Sequence, residues 1–213
     1  MKSVFLILTF TVFVFGYAHG TELEAKEKAF EGHIRGSFKD PVQFGGSVVE
    51  PGNGVLQVYQ TTRNMVVTGL TKAHIRKVEA DFKKGFAFLS YKAKRLTVHT
   101  DYELNGTCLL LPIWGKGKGV VVLDDVRVTA NATVKLEDDK FHITGMKITF
   151  DMSDGSFALS SLFGETPPGI LTPLYVKTFN ANSRYIFNEI LPNYIPKSEA
   201  ALTKVWTQLL NSI

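Results

Sequence analysis

Few side chains in this sequence have the type and spacing that catalysis or metal binding requires. The histidines beyond residue 20 are His33, His74, His99 and His142. None has another His or Cys three to five positions away, as pairs of zinc ligands usually do. The motifs G-x-S-x-G and H-E-x-x-H, which mark a nucleophilic serine and a zinc protease, are absent. We therefore expect no catalytic residues, no metal and no cofactor.

The charged clusters are explained by turns and strand ends. Asp124-Asp125 and the run 137–139 (EDD) are predicted to be solvated acids where strands end. The run 115–119 (GKGKG) lacks the spacing and the Ser or Thr of a phosphate-binding loop, so it is predicted to be a flexible turn between two strands.

One basic segment leaves two interpretations open. Between Lys72 and Arg95 there are eight Lys or Arg and two acids, which could form a surface that attracts an anionic membrane or glycan. The same spacing is typical of the solvated outer face of a sheet, because many of these residues alternate with apolar ones.

Composition limits the class of protein. The chain has 213 residues, of which 45% are hydrophobic and 21% are charged, and it has one cysteine. These values exclude a disordered chain and a small domain held together by disulfides. The net charge of +4 is slight for this length, so we expect no nucleic-acid partner.

The first twenty residues have the pattern of a secretory signal peptide. Met1-Lys2 precedes an apolar run from Val4 to Ala18, and the small residues at Ala18 and Gly20 indicate cleavage after Gly20. The run is shorter than the roughly 20 residues that span a bilayer, so we expect no stable membrane anchor. Residues 21–213 are then expected to form a single secreted, extracellular domain.

If the protein is secreted, three further residues can be interpreted, because glycosylation and disulfide formation occur in that compartment. Asn105 and Asn131 each begin an N-x-T sequon and are candidate glycosylation sites. Cys108 is either a buried, inert thiol or one half of an intermolecular bridge, and its leucine neighbours favour the buried thiol.

The middle of the chain alternates apolar and polar residues with the period of strands. In the run from Arg95 to Leu104, Leu96, Val98 and Tyr102 share one face while charged residues share the other. The segment 108–114 is apolar at almost every position and is predicted to be a strand covered on both sides. At Gly145 the alternation changes phase, which predicts a bulge.

Helical periodicity appears at both ends. Residues 21–31 predict a short N-terminal helix, and an apolar stripe beginning after Thr172-Pro173 predicts a long C-terminal helix that Pro192 ends or kinks. The fold class is therefore α+β, with a long antiparallel sheet curved around the C-terminal helix.

The large apolar side chains exceed what a sheet and one helix need for packing, and any void among them would accept an apolar ligand. The polar groups that we expect to orient such a ligand are Thr100, Tyr102 and Tyr185. The candidate lining residues are Phe82, Phe86, Phe88, Val98, Tyr102, Leu111, Phe150, Phe157, Phe179 and Tyr185.

The run 101–117 (DYELNGTCLLLPIWGKG) resembles the central signature of the insect Takeout and haemolymph juvenile hormone-binding protein family. The resemblance extends from about Asp40 to the C-terminus, and its other matching elements are Asp40-Pro41, Asn64, Gly69-Leu70, Ile75 and Leu162-Phe163-Gly164. It implies an elongated hydrophobic tunnel and a secreted, non-catalytic carrier of a small lipid such as a juvenile hormone-like terpenoid or a fatty acid. Members of that family usually have an N-terminal cysteine pair, which this sequence lacks.

Two other functions are considered beside the carrier. A lipid-ester hydrolase would need His99 or His142 as a base, although no Ser-His-acid arrangement can be read from the sequence. A binding module for anionic membranes or glycans would use the surface from Lys72 to Arg95. Neither alternative identifies a receptor.

Overall fold

The computed structural model describes residues 22–52, 54–164 and 171–213. The predicted signal peptide and residues 165–170 lie outside this part of the chain. The first element is a helix, α1, over residues 22–36, which is longer at its C-terminal end than predicted.

Eight strands follow, with a short 3-10 helix at Leu70–Lys72 between the third and the fourth. They are β1 (Val42–Phe44), β2 (Ser47–Val49), β3 (Leu56–Thr68), β4 (His74–Asp81), β5 (Phe86–Cys108), β6 (Leu111–Glu137), β7 (Lys140–Asp151) and β8 (Asp154–Leu159). Two helices complete the described chain, α2 (Leu171–Ala181) and α3 (Ser183–Leu210).

The long hairpin of β5 and β6 forms the centre of one antiparallel sheet. The two strands have 23 and 27 residues and pair from Phe86 with Thr133 to Cys108 with Leu111. Each is long enough to take two different partners on its outer edge. Strand β5 pairs with β4 and then with β3, and β6 pairs with β8 and then with β7. The predicted antiparallel sheet and long C-terminal helix are confirmed.

Breaks in the ladder change which side chains face the helices. The bulge predicted at Gly145 is confirmed, since the β6–β7 register shifts between Thr133 and Val134, opposite that glycine. A second bulge follows Arg63 in β3, where Asn64 has a φ of 51°. Lys94 and Asp125 drop out of the β5–β6 ladder, and here the buried positions of β5 change from odd to even numbers.

Two predictions about the β5–β6 hairpin are wrong. Leu109 and Leu110 are not strand residues: with φ of 52° and 66° they form its two-residue turn, which needs positive φ at both positions. Leu110 is 92% exposed and Trp114 is 48% exposed, so this segment is not covered on both sides. Residues 115–119 are not a turn, because they lie inside β6 and pair with β5.

The acidic pair Asp124-Asp125 also lies inside β6 instead of at a strand end. Asp124 accepts two hydrogen bonds from the Arg95 guanidinium at 2.6 and 3.1 Å, and Asp125 pairs with Lys92 at 2.9 Å. These ion pairs lie beside the break in the ladder, on the polar face that the break exposes.

The C-terminal helical region is interrupted at Asn182, between α2 and α3, and it does not end at Pro192. Pro192 and Pro196 both lie inside α3. Both are exposed, so water can bond the backbone carbonyls that proline leaves without an N–H partner. Within the described residues, no helix is both long and apolar enough to cross a membrane.

Candidate functional site

Two adjoining cavities lie between the sheet and the helices α2 and α3. Cavity A has a volume of about 90 Å³ and is lined by Leu56, Val58, Gln60, Thr100, Tyr102, Leu104, Cys108, Ile113, Gly119, Val121, Phe157, Leu159, Phe179, Ile186 and Ile190. Cavity B has a volume of about 260 Å³ and is lined by Gln60, Thr62, Met65, Val98, Thr100, Val121, Leu123, Ile148, Phe150, Phe157, Phe187, Ile190, Leu191, Tyr194, Ile195 and Ser198. The residues common to both are Gln60, Thr100, Val121, Phe157 and Ile190, which places these side chains where the cavities meet.

The wall formed by β8 is held to α2 and α3 by specific contacts. The Asn180 side chain accepts the Phe157 N–H at 2.7 Å and donates to the Phe157 carbonyl at 3.0 Å. The ring of Phe157 stacks on Phe187 with centroids 4.6 Å apart and planes 13° apart. Gly155 leaves room for this stack, since a Cβ there would lie 2.5 Å from the Phe187 ring. The aromatic pair between the cavities is therefore fixed in position from both sides.

Tyr102 forms part of the floor of cavity A. A Cβ at Gly119 would lie 3.1 Å from the Tyr102 ring, so glycine gives the ring space against β6. The Tyr102 hydroxyl donates to the Ser161 carbonyl at 2.5 Å and accepts the Ser161 N–H at 3.1 Å. Burial raises the pKa of Tyr102, and the hydrogen bond with Ser161 offsets part of that rise. The phenol is thus neutral at physiological pH and bonded to the backbone.

Six of the residues predicted from the sequence line these cavities. Tyr102 and Phe179 line cavity A, Val98 and Phe150 line cavity B, and Thr100 and Phe157 line both. The hydroxyl of Thr100 donates to the backbone carbonyls of Arg63 at 2.9 Å and Asp101 at 3.0 Å.

The structure places the other predicted lining residues outside both cavities. Phe82 packs at the opposite end of the sheet, with its ring centroid 4.8 Å from that of Phe141. Phe86 and Phe88 lie half-buried on the face of β5 opposite Ala87 and Leu89, because the break at Lys94 reverses which parity is buried. Leu111 is 38% exposed beside the hairpin turn, and Tyr185 is 54% exposed on the outer side of α3.

Sequence reasoning missed four polar residues of cavity B, namely Gln60, Thr62, Tyr194 and Ser198. Gln60 and Thr62 continue the alternation of Leu56 and Val58 in β3, which is the signal that could have placed them. Burial raises the pKa of Tyr194, and a hydrogen bond with Thr62 offsets part of the rise. Tyr194 lies one helical turn after Ile190, so the helical period places both on one side of α3.

Cys108 is a buried thiol at the end of cavity A. It is 1% exposed and free, and burial raises its pKa to about 11. The thiol is therefore protonated at physiological pH and contributes apolar surface. The two sequon asparagines, Asn105 in β5 and Asn131 in β6, both have exposed side chains.

The histidines considered as bases lie away from the cavities. His99 and His142 are exposed and alternate with the cavity-lining and core residues of their strands. Among the described residues, no group of three or more His, Cys, Asp or Glu could hold a metal ion.

Acids partner most of the cations in the basic segment from Lys72 to Arg95. Besides the two pairs at the ladder break, Lys84 pairs with Asp81 at 2.8 Å, Lys83 with Glu24 of α1 at 3.3 Å, and Lys77 with Glu79. Three of these acids come from outside the segment, and they are Glu24, Asp124 and Asp125. The folded surface is therefore less positive than the segment alone suggests.

Comparison with known proteins identifies the family. A model of the haemolymph juvenile hormone binding protein family matches residues 39–213. This chain belongs to that family. The match covers the whole sheet and both C-terminal helices, and the family consists of carriers of small hydrophobic ligands.

One solved structure shows the same fold, and a second has a much lower structural similarity. Takeout 1 of Epiphyas postvittana superposes with a TM-score of 0.60 and 23% sequence identity, covering 81% of this chain and 76% of that one. A lipopolysaccharide binding protein superposes with a TM-score of 0.38 and 10% identity, covering 92% of this chain and 39% of that one. No curated protein matches the sequence.

Proposed function

We propose that this member of the juvenile hormone binding protein family is a secreted, non-catalytic carrier that holds a small hydrophobic ligand in cavities A and B. The observation that carries the proposal is the lining of these cavities, in which no described residue is charged. Such a lining suits a terpenoid, a fatty acid or a related lipid, because apolar cavities favour apolar ligands.

The size of the hydrophobic effect makes this binding feasible. Each buried methylene contributes about 0.8 kcal/mol, so a chain of about twelve contributes roughly 10 kcal/mol before costs. Loss of translational and rotational freedom opposes this by about 4 kcal/mol or more. The difference of about 6 kcal/mol corresponds to dissociation constants of roughly tens of micromolar for ligands that fill both cavities.

Secretion is part of the proposal. It is supported by the leader pattern of residues 1–20 and by the exposure of Asn105 and Asn131, which glycosylation requires. Expression in insect cells tests it: the protein should leave the cells without residues 1–20, and its mass should fall on treatment with a peptide N-glycosidase. Retention of the full-length chain inside the cells would contradict secretion.

The carrier function is tested by removing bound lipid and adding a panel of isoprenoids, fatty acids and their esters. A ligand that binds only the folded state raises the melting temperature, in proportion to the logarithm of its concentration above the dissociation constant. At least one class should raise it. If no lipid of the panel shifts the melting temperature or displaces an apolar fluorescent dye, the carrier function is wrong.

A further inference from the structure

Polar side chains are few in the lining of cavities A and B, and among the described lining residues all but one are bonded within the protein. Tyr102 is bonded to Ser161, and Thr100 donates to backbone carbonyls. Gln60 has no hydrogen-bond partner for its side-chain amide among the described residues, and it lines both cavities.

The three remaining polar groups of cavity B are also engaged. Thr62 donates to the Ser47 carbonyl at 3.3 Å and bonds with Tyr194. Ser198 donates to the Tyr194 carbonyl at 3.0 Å. A ligand that enters cavity B therefore meets one uncommitted pair of donor and acceptor groups, the carboxamide of Gln60, which offers two N–H donors and a carbonyl oxygen.

The charge of the lining limits which ligand group can meet Gln60. No Lys, Arg or His is among the described residues that line either cavity, so a carboxylate there would lose its water without gaining a cation. An ester, ketone or alcohol loses far less solvation on entering and can bond with the amide. From this lining we infer that the protein selects uncharged lipids over their carboxylates, and that Gln60 binds the ligand's oxygen.

This inference rests on the proposed carrier function and narrows its ligand to uncharged lipids. The cavities then discriminate between ligands by charge, because a free acid must either take up a proton or leave its head group in water. Gln60 then fixes the position of the oxygen, and the apolar chain extends into the two cavities on either side of it.

The experiment compares methyl dodecanoate, 1-dodecanol, dodecane and dodecanoate at pH 8 by displacement of an apolar dye from the delipidated protein. The ester and the alcohol should bind more tightly than dodecanoate by about 100-fold or more. Lowering the pH toward the pKa of the acid should strengthen dodecanoate alone. Equal or tighter binding of dodecanoate at pH 8 would overturn the inference.

Two glutamines of β3 provide a matched pair of variants. Gln60→Leu should weaken binding of the ester by about three- to tenfold, the amount expected for one hydrogen bond, and should change binding of dodecane by less than twofold. Gln57→Leu should change neither, since Gln57 lies on the exposed face of the same strand and bonds the Gly54 carbonyl at 3.3 Å. Melting temperatures of both variants establish that they are folded.

The outcomes separate the two proposals. If no ligand of the series binds wild-type protein, the carrier function fails. If dodecane and the ester bind wild type but Gln60→Leu leaves the ester's affinity unchanged, the role of Gln60 is wrong while the carrier function stands.

Discussion

The two ends of the β5–β6 hairpin bury apolar side chains in different ways. At the α1 end, Phe30 of α1 and Trp206 of α3 meet edge to face with centroids 5.2 Å apart, over the alanines of the sheet. At the hairpin-turn end, branched residues of the sheet face α2 and the first half of α3, and cavities A and B lie between them.

The difference shows that alternation of apolar residues does not by itself decide whether a core is filled. Ala87, Ala130 and Ala132 are almost completely buried, and large aromatic rings from the helices occupy the space above them. Large helix side chains packed on small sheet side chains fill the space between the two layers to the density usual in a protein interior. At the hairpin-turn end, the sheet and the helices both present side chains of medium size. Large side chains are not matched with small ones there, and cavities A and B remain between the two layers.

The largest expected effect is at the filled end. Trp206 is 1% exposed, so Trp206→Ala should lower the free energy of unfolding by about 3–5 kcal/mol, through lost burial and a cavity that cannot collapse. Ligand affinity should stay within about threefold of wild type, because Trp206 lines neither cavity. Urea denaturation and dye displacement measure the two quantities. A large loss of affinity in the folded variant would show that the two ends are not independent.

The next effect is at the cavity end. Val121 lines both cavities, so Val121→Trp should fill the space where they meet and weaken ligand binding by about 100-fold or more, as the ligand and the indole compete for one volume. Val120→Trp, on the other face of β6, is the control and should bind ligand as wild type does. Similar affinities for all three proteins would place the ligand elsewhere.

A smaller effect is expected at Gly155. Gly155→Ala should push the Phe187 ring off its stack with Phe157, and overpacking of this kind costs about 1–3 kcal/mol. Gly145→Ala is the matched control, since its Cβ would meet Thr133 at an ordinary 3.4 Å. Thermal unfolding compares them, and equal melting temperatures would mean that the aromatic stack is not tightly held.

The smallest effect concerns the buried thiol of cavity A. Burial raises the pKa of Cys108 from 9.0 to about 11, so the folded state keeps its proton in a range of pH where the unfolded chain loses it. The contribution of this group to stability is complete below about pH 9 and is lost as pH rises toward 11. Cys108→Ala should show a shallower fall in stability across that range than wild type. Denaturant titrations at each pH measure the free energy of unfolding. If this free energy falls equally with pH in wild type and in Cys108→Ala, the burial of the thiol is contradicted.

The sequence predicts the elements better than it predicts which side chains meet. Strand alternation and the phase change at Gly145 are local signals, and both are confirmed. The break at Lys94 and Asp125 has no comparable signal, because these two residues lie on different strands of the hairpin and are brought together only when the strands pair. That break separates Phe86 and Phe88 from the face that carries Tyr102.

Part of the site could not be predicted for a similar reason. Phe157 and Val98 follow from periodicity, but the free amide of Gln60 becomes visible only when the partners of its neighbours are known. The glycines of residues 115–119 predict a turn from the sequence, whereas in the structure they make space for Tyr102 and Ser160 within β6. Tertiary contacts determine these roles, and local propensity does not record them.

The central claim is that cavities A and B hold a lipid chain, and a crystal structure with a brominated ligand tests it most directly. Crystals of the delipidated protein soaked with methyl 12-bromododecanoate should show the anomalous signal of bromine between the sheet and α3, inside cavity A or cavity B. Bromine signal confined to the molecular surface or to the Trp206 end, with both cavities closed by the protein's own side chains, would contradict it.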